Sequence, residues 1–144
     1  MKYFEDFQVG EKSTTRSRTI TEADIVNFCS FSGDWYPLHS DIEYAKKSPF
    51  GQRIAHGMLV LSVASGLLPL YDMKIVAFYG MENVRFVSPT TIGETIYMES
   101  EVTGTQDKGG MGGVITFLNK IKNHKGDDKV VYIMKGFIGK KDGG

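Results

Sequence analysis

The pattern of apolar and polar residues divides the chain into a helical first half and a strand-rich second half. Thr21 followed by Asp24 is a capping-box signal for a helix that Gly33 is expected to end. A second, longer helix is expected in the segment GQRIAHGMLVLSVASGLLPL, which is apolar on nearly every side, as a helix enclosed by its own domain should be. Helices and strands that are segregated in this way indicate an α+β fold.

Four runs rich in Val, Ile, Phe and Tyr predict four antiparallel strands in the second half. The runs are IVAFYGMENVRFVSP, ETIYMESEVTGTQ, GGVITFLNKIKNH and KVVYIMKGFIGK. The stretches DKGGMGG and HKGDD suit hairpin tips, a further strand is expected at residues 12–19, and the terminal KKDGG is expected to fray. We therefore expect an antiparallel sheet that curves around the apolar helix.

The length and composition indicate one globular domain covering residues 1–144. Hydrophobic residues make up 41% of the chain and charged residues 24%, which is near the average for folded proteins. No repeat or low-complexity linker divides the sequence. Ser40 followed by Glu43 signals a further short helix start between the two longer ones.

The charge distribution argues against a nucleic-acid partner. Seventeen basic residues balance seventeen acidic ones, and they form no dense basic stripe. The N-terminal segment MKYFEDFQVG lacks the basic-then-apolar order of a secretory signal, and the apolar helix is too short to span a bilayer. We therefore expect a cytoplasmic protein with no membrane partner.

The segment SGDWYPLHSD carries the candidates for acid–base chemistry. Asp34 and His39 lie five residues apart on a stretch that Pro37 stiffens, so an irregular loop can direct both side chains to one point. A carboxylate beside an imidazole can hold water and move two protons near neutral pH. The alternative is that Asp34 is a turn residue and His39 a surface histidine.

Gly57 in the segment AHGMLVL is a candidate oxyanion donor. It would open the apolar helix with an unpaired backbone N–H and with no side chain to obstruct a ligand. Helix N-terminal amides stabilise developing negative charge, as on the carbonyl oxygen of a thioester. The alternatives are that Gly57 serves close packing and that His56 only orients the preceding turn.

The sequence resembles the MaoC-like (R)-specific enoyl-CoA hydratases. The resemblance lies in SGDWYPLHSDIEYAKKSPFGQRIAHGMLVLSVASGL, which is similar to the hydratase motif, and continues in VRFVSPTTIGETI. It implies a hot-dog fold, in which an antiparallel sheet wraps around a long central helix, and a homodimer or higher homo-oligomer. It also implies that trans-2-enoyl-CoA is hydrated to (R)-3-hydroxyacyl-CoA, or the reverse, with acyl carrier protein as an alternative carrier.

Carried over to this chain, the resemblance makes Asp34 and His39 the pair that binds the catalytic water. Gly57 would donate its N–H to the thioester carbonyl, and Ser65 matches a serine that hydrogen-bonds near the acid. The alternative for Ser65 is a hydrogen bond from its hydroxyl to a carbonyl one turn earlier in its own helix. Tyr36 stands where the family pattern has asparagine, so the departure bears on substrate preference while the acid and base are kept.

Two other functions fit the same resemblance. A hot-dog thioesterase would activate water at the carbonyl carbon and release CoA. A non-catalytic module would only bind the acyl thioester, which Tyr36 could explain. The sequence leaves open the acyl chain length, the carrier, the direction of reaction and the individual roles of Asp34 and His39.

Neither a metal site nor a cysteine nucleophile is expected. His39, His56 and His124 lack the HExxH or CxxC spacing of zinc ligands, and a thioester hydration needs no bound cofactor. Cys29 shares an apolar helical face with Phe28 and has the character of a buried small residue.

Overall fold

A computed structural model describes residues 1–142, and within them six strands form one antiparallel sheet. The strands are β1 (Lys12–Thr14), β2 (Arg18–Thr19), β3 (Ile75–Phe86), β4 (Thr95–Asp107), β5 (Gly112–Asn123) and β6 (Asp128–Gly139). Their order is β1-β4-β5-β6-β3, and β2 pairs with β4 beside β1. The four long strands confirm the sequence prediction. The opening strand expected at residues 12–19 is broken into β1 and β2.

The helices of the described residues lie before the long strands, which confirms the α+β class. They are α1 (Glu22–Ser32), α2 (Pro37–Ser40), α3 (Ile42–Lys46) and α4 (Gly57–Leu67). The start of α1 is the predicted capping box, in which the Thr21 hydroxyl accepts from the Asp24 N–H and the Asp24 carboxylate accepts from the Thr21 N–H. Gly33 ends the helix with φ of 79°, a left-handed conformation that favours glycine.

Two local predictions between α1 and α4 were wrong. The segment expected to be irregular contains the helical turn α2, because Pro37 stands at its first position with the backbone angle that a helix needs. The next helix is capped by Asp41, whose carboxylate accepts from Tyr44 N–H, and not by Ser40. The Ser40 hydroxyl instead donates to the carbonyl oxygen of Trp35.

The core lies between α4 and the inner face of the sheet. Alternate residues of β4 and β5 point inward and are buried, and they meet the buried side of α4. The principal members are Leu59, Val60 and Ala64 from α4, and Ile96, Met98, Ile121 and Val130 from the sheet. The expectation that the chain encloses this helix on every side was wrong, since Met58 is 61% exposed.

Strand β3 forms one edge of the sheet and is unusually apolar for an exposed strand. It pairs only with β6 among the strands of residues 1–142, through a register with three irregularities. Its exposed large side chains include Val76, Phe78, Tyr79 and Phe86. An uncovered apolar edge strand is a template for pairing with another chain.

The hairpin tips lie where glycines predicted them. Gly109 and Gly110 have positive φ in the β4–β5 turn, and Gly126 has φ of 84° in the β5–β6 turn. The expected fraying of KKDGG does not hold for its lysines, because Lys140 pairs with Asp107 and Lys141 with Asp6. Residues 143–144 lie outside the described residues. None of the helices described between residues 1 and 142 has the length and apolar character needed to cross a membrane.

Candidate active site

The structure brings Asp34, His39 and His56 together, with one carboxylate or ring-nitrogen atom from each lying within 4.8 Å of the others. Asp34 follows the helix-ending Gly33, and its side chain accepts a hydrogen bond from the Tyr36 N–H at 3.2 Å. Its own N–H donates to the Ser32 hydroxyl at 3.1 Å. These local hydrogen bonds fix the turn that presents the exposed carboxylate of Asp34 to the cluster.

His39 is held by one strong hydrogen bond to the main chain. It lies on α2, and its Nδ1 is 2.7 Å from the carbonyl oxygen of Ile54. A carbonyl can only accept, so Nδ1 carries the proton and donates it. In the neutral ring this leaves the Nε2 lone pair free. His39 is therefore oriented with the tautomer that a general base requires.

His56 is the member of the cluster whose part the sequence did not reveal. Its ring is stacked on that of His39, with centroids 3.8 Å apart and an interplanar angle of 26°, and Phe28 packs 4.7 Å from it. The side chain is buried, and its Nε2 donates to the carbonyl oxygen of Asp34 at 3.0 Å. His56 thus fixes both the backbone of Asp34 and the plane of the His39 ring.

The environment of His56 keeps it neutral. Burial lowers the pKa of His56, and the neighbouring His39 adds to this effect, while the hydrogen bond to the Asp34 carbonyl and the Asp34 charge oppose it. With Nε2 carrying the proton, Nδ1 is unprotonated, and it is buried without a hydrogen-bond partner among residues 1–142. The neutral His56 ring places no positive charge beside His39.

Cys29 touches this cluster but does not have the character of a nucleophile. Its Sγ lies 3.6 Å from His56 Nε2, and the side chain is buried in the helix face predicted from the sequence. Burial raises the pKa of the Cys29 thiol, and the negative charge of Asp34 raises it further. Cys29 therefore stays protonated and acts as a packing residue.

The cluster is poorly shaped for a metal ion. Ring-nitrogen lone pairs lie in the imidazole planes, and the planes of His39 and His56 are nearly parallel, so their lone pairs do not converge on one point. His56 Nε2 already donates to the Asp34 carbonyl. His124, the third histidine of the sequence, lies elsewhere and accepts from the Thr95 N–H. Acid–base chemistry fits this donor set better than metal binding.

Gly57 is the first residue of α4, directly after His56. A Cβ at this position would lie 2.4 to 2.9 Å from three ring atoms of Phe86, which is too close for any side chain. The first amides of a helix have no intrahelical partner and carry the positive end of the helix dipole. Packing against Phe86 therefore accounts for the glycine, while the helix position gives its N–H the character of an anion donor.

A buried ion pair secures the loop that supports the start of α4. Thr90 accepts from the Ala55 N–H at 2.7 Å, two residues before Gly57. Glu94 and Lys129 pair at 2.8 Å, and Lys129 Nζ also donates to the Pro89 carbonyl at 2.9 Å. Burial opposes ionisation of Glu94, yet hydrogen bonds from Lys129, Asn123 and Thr91 outweigh it and lower its pKa. The pair is thus charged and holds the loop against the sheet.

The remaining residues suggested by the resemblance lie apart from the acid–base pair or at its rim. The Ser65 hydroxyl donates to the carbonyl of Ser62 at 2.6 Å, which is the local alternative that the sequence left open. The Tyr36 hydroxyl lies 3.2 Å from that of Tyr44, and its ring lies edge-on to His39 with centroids 6.2 Å apart. Tyr36 therefore borders His39.

A cavity of about 600 Å³ lies beside the C-terminal half of α4. It starts at Leu61, four residues and about 6 Å along the helix from Gly57. Ser65 also borders it, and strands β3 to β6 supply most of the opposite wall, including Phe78 and Met134. Its size and mainly apolar lining are typical of small-molecule sites.

Comparison with known sequences identifies a family. The MaoC like domain matches residues 6–123. The Klebsiella aerogenes protein MaoC is 47% identical over 96 residues, which are 66% of this chain and 29% of that protein, so this chain spans less than a third of that relative. The (R)-specific enoyl-CoA hydratase of Rhodospirillum rubrum is 36% identical over 104 residues, which are 72% of each protein.

Comparison with solved structures identifies the fold. An Archaeoglobus structure described as a monoamine oxidase regulatory protein superposes with a TM-score of 0.91 at 40% identity, over 97% of this chain and 95% of that one. A Mycobacterium tuberculosis protein described as a double hot-dog fold superposes with a TM-score of 0.85 over 98% of this chain and 45% of that one; at 20% identity it shows the fold alone. The predicted hot-dog fold is confirmed.

Proposed function

Because this chain belongs to the MaoC-like domain family, we propose that it adds water to trans-2-enoyl-CoA to give (R)-3-hydroxyacyl-CoA, or catalyses the reverse dehydration. Relatives named as hydratases and dehydratases support this proposal. The observation that carries it is the hydrogen bond from His39 Nδ1 to the Ile54 carbonyl, which leaves Nε2 of the neutral ring unprotonated in a residue clustered with Asp34. That arrangement suits a water molecule held between a base and a carboxylate.

The reaction requires one proton to leave water and one to reach carbon. The thioester carbonyl accepts from the Gly57 N–H, and Asp34 and His39 hold the water. The water oxygen bonds to the β-carbon while the pair takes one of its protons, and the π electrons move to form an enolate whose oxygen Gly57 stabilises. The pair then delivers that proton to the α-carbon. The enzyme returns to its starting protonation state, and one water has been added.

The cavity next to α4 suits the acyl chain. A carbonyl at Gly57 would direct the chain along the helix toward Leu61 and Ser65, where the apolar wall begins. The substrate brings its own activating thioester, so the proposed mechanism requires no further cofactor. CoA is the carrier named in the hydratase relative, and acyl carrier protein is the alternative.

The test is a spectrophotometric assay with crotonyl-CoA and trans-2-octenoyl-CoA in the presence of a thiol reagent. We expect the enoyl absorbance to fall without release of free CoA, and chiral analysis of the product to give the (R)-3-hydroxyacyl thioester. Release of thiol would instead assign a thioesterase. Tight binding of both thioesters without any turnover would assign a non-catalytic binding module.

We further propose that two copies of this chain associate through β3. The strand is an uncovered edge of 12 residues, and its exposed Val76 and Tyr79 would otherwise face water. The exposed Met58 at the start of α4 would be covered by the same partner or its helix. Closure of the acyl site by a second copy would explain why α4 is so apolar yet only partly buried.

Sedimentation analysis tests this association. The wild-type protein should have at least twice the 16.0 kDa mass of one chain. The double variant Val76→Lys, Tyr79→Lys should shift toward the monomer, because two charges would have to be buried at the edge. Glu82 on the same strand already pairs with Lys135, so Glu82→Gln is the matched control and should keep the wild-type mass. A monomeric wild-type protein would contradict the proposal.

A further inference from the structure

The inner face of the sheet contains a polar row between two apolar clusters. Ser100, Asn119 and Tyr132 are register partners across β4, β5 and β6. On one side of the row lie buried residues such as Met98 and Ile121, and on the other lie residues such as Phe117. All three polar residues are buried. Buried polar groups cost free energy unless hydrogen bonds compensate, so the row calls for an explanation.

The row is incompletely hydrogen-bonded by the protein. The Ser100 hydroxyl donates to Asn119 Oδ1, and it keeps two lone pairs for accepting. The Tyr132 hydroxyl donates to Met98 Sδ at 3.3 Å, and the Asn119 amide to Met134 Sδ at 3.8 Å. A thioether is a weak acceptor. The Tyr132 hydroxyl is therefore directed at a poor partner.

Ser100 and Tyr132 both line the cavity beside α4. A ligand hydroxyl in that cavity can accept a hydrogen bond from the Tyr132 hydroxyl and donate one to the Ser100 oxygen. Burial raises the pKa of the Tyr132 phenol and outweighs the hydrogen bond with Asn119, which lowers it, so the phenol remains a protonated donor at neutral pH. Of the described residues that line the cavity, only Arg16 and Asp72 are charged, and both belong to exposed connecting segments. The polar row thus suits an uncharged group.

We infer that the acyl chain of the substrate carries a hydroxyl group, which accepts a hydrogen bond from Tyr132 and donates one to Ser100 inside the cavity. This inference rests on the proposed function, since it places the thioester at Gly57 and the chain along α4. A purely hydrocarbon chain would leave the Tyr132 and Ser100 groups without a better partner. A site built to hydrogen-bond an oxygen discriminates against the analogue that lacks it.

A positional series of substrates tests the inference. Trans-2-enoyl-CoA thioesters of one length, each with a single hydroxyl between the sixth and tenth carbons, are compared with the unsubstituted chain. One position should raise kcat/KM by about tenfold over the unsubstituted chain. Tyr132→Phe should abolish that preference, so that the hydroxylated and unsubstituted chains are turned over with equal kcat/KM. Ser100→Ala, which removes the acceptor, should reduce the preference as a second variant.

The matched control is Tyr97→Phe, which removes a phenol from the outer face of β4 and should keep the preference. The inference would be overturned if no position of the hydroxyl gave a higher kcat/KM than the unsubstituted chain. A preference for a chain that ends in a carboxylate would also overturn it. Calorimetry measures binding of the saturated hydroxyacyl-CoA and of the saturated acyl-CoA without turnover, so it tests the inference separately from the proposed function. Tighter binding of the hydroxylated chain that Tyr132→Phe abolishes would support the inference even without hydration. Hydration without this preference would support the function alone.

Discussion

The regions around the two ends of α4 differ in how their functional side chains are held in place. At the N-terminal end, Asp34, His39 and His56 are fixed by hydrogen bonds to main-chain groups within one short stretch of the sequence. At the C-terminal end, the cavity is assembled from strands far apart in the sequence and is bounded by the exposed edge strand β3. The proposed chemistry is therefore preorganised locally, whereas the proposed specificity depends on the assembled sheet.

The largest effect on stability is expected from the ion pair behind the preorganised end. Glu94→Gln leaves Lys129 charged and buried, so the free energy of unfolding should fall by about 3 kcal/mol. Chemical denaturation measures the change. The control Glu82→Gln breaks a solvent-exposed pair with Lys135 and should cost less than about 1 kcal/mol. Equal effects of the two variants would mean that the Glu94 pair does not anchor the loop before α4.

A large effect on activity is expected from the first residue of α4. In Gly57→Ala the new methyl group meets the Phe86 ring, so the helix start must move and kcat/KM should fall by about 100-fold. Steady-state hydration of crotonyl-CoA measures this loss. Gly66→Ala, in the same helix with open space at its Cβ, is the stability control and should slightly stabilise the chain. Wild-type activity in Gly57→Ala would remove the amide from the mechanism.

A smaller effect, on the pH dependence of the free energy of unfolding, is expected from the titration of His56. Its pKa in the folded chain lies below the ordinary value of 6.5, so the unfolded chain binds the proton first as the pH falls. The stabilisation is therefore complete above pH 6.5 and is lost as the pH falls through the folded pKa. Denaturation curves of His56→Gln, which keeps an N–H donor, should show a weaker acid dependence.

The smallest effect on activity is expected from Tyr36, which lies at the rim of the Asp34 and His39 pair. Tyr36→Asn removes the phenol that contacts Tyr44 but keeps the backbone N–H that donates to Asp34. Initial rates over a range of enoyl chain lengths should show a change in KM with kcat within about threefold of wild type. Tyr44→Phe, which removes the same hydroxyl contact from the other side, is the matched variant. A large fall in kcat would place the Tyr36 phenol in the chemistry itself.

The sequence predicted best what depends on local chemistry. The capping box of Thr21 and Asp24, the left-handed Gly33 and the glycine-rich hairpins all follow from hydrogen bonds or angles within a few residues. The break in the opening strand was missed because pairing with β4 decides it. The stacking of His56 was missed for the same reason, since the contact joins residues 17 positions apart. Asp34 and His39 were recognised through the family resemblance, and their proximity required the fold.

The most direct test of the central claim is kcat/KM for hydration of crotonyl-CoA by Asp34→Asn, His39→Ala and the double variant. Asn keeps an oxygen that accepts from the Tyr36 N–H, so the loop should hold while the carboxylate charge is lost. Each single variant should lose at least about 100-fold, and the double variant little more than either, because the two residues act as one unit. If either single variant keeps activity within threefold of wild type, then Asp34 and His39 are not the pair that delivers water.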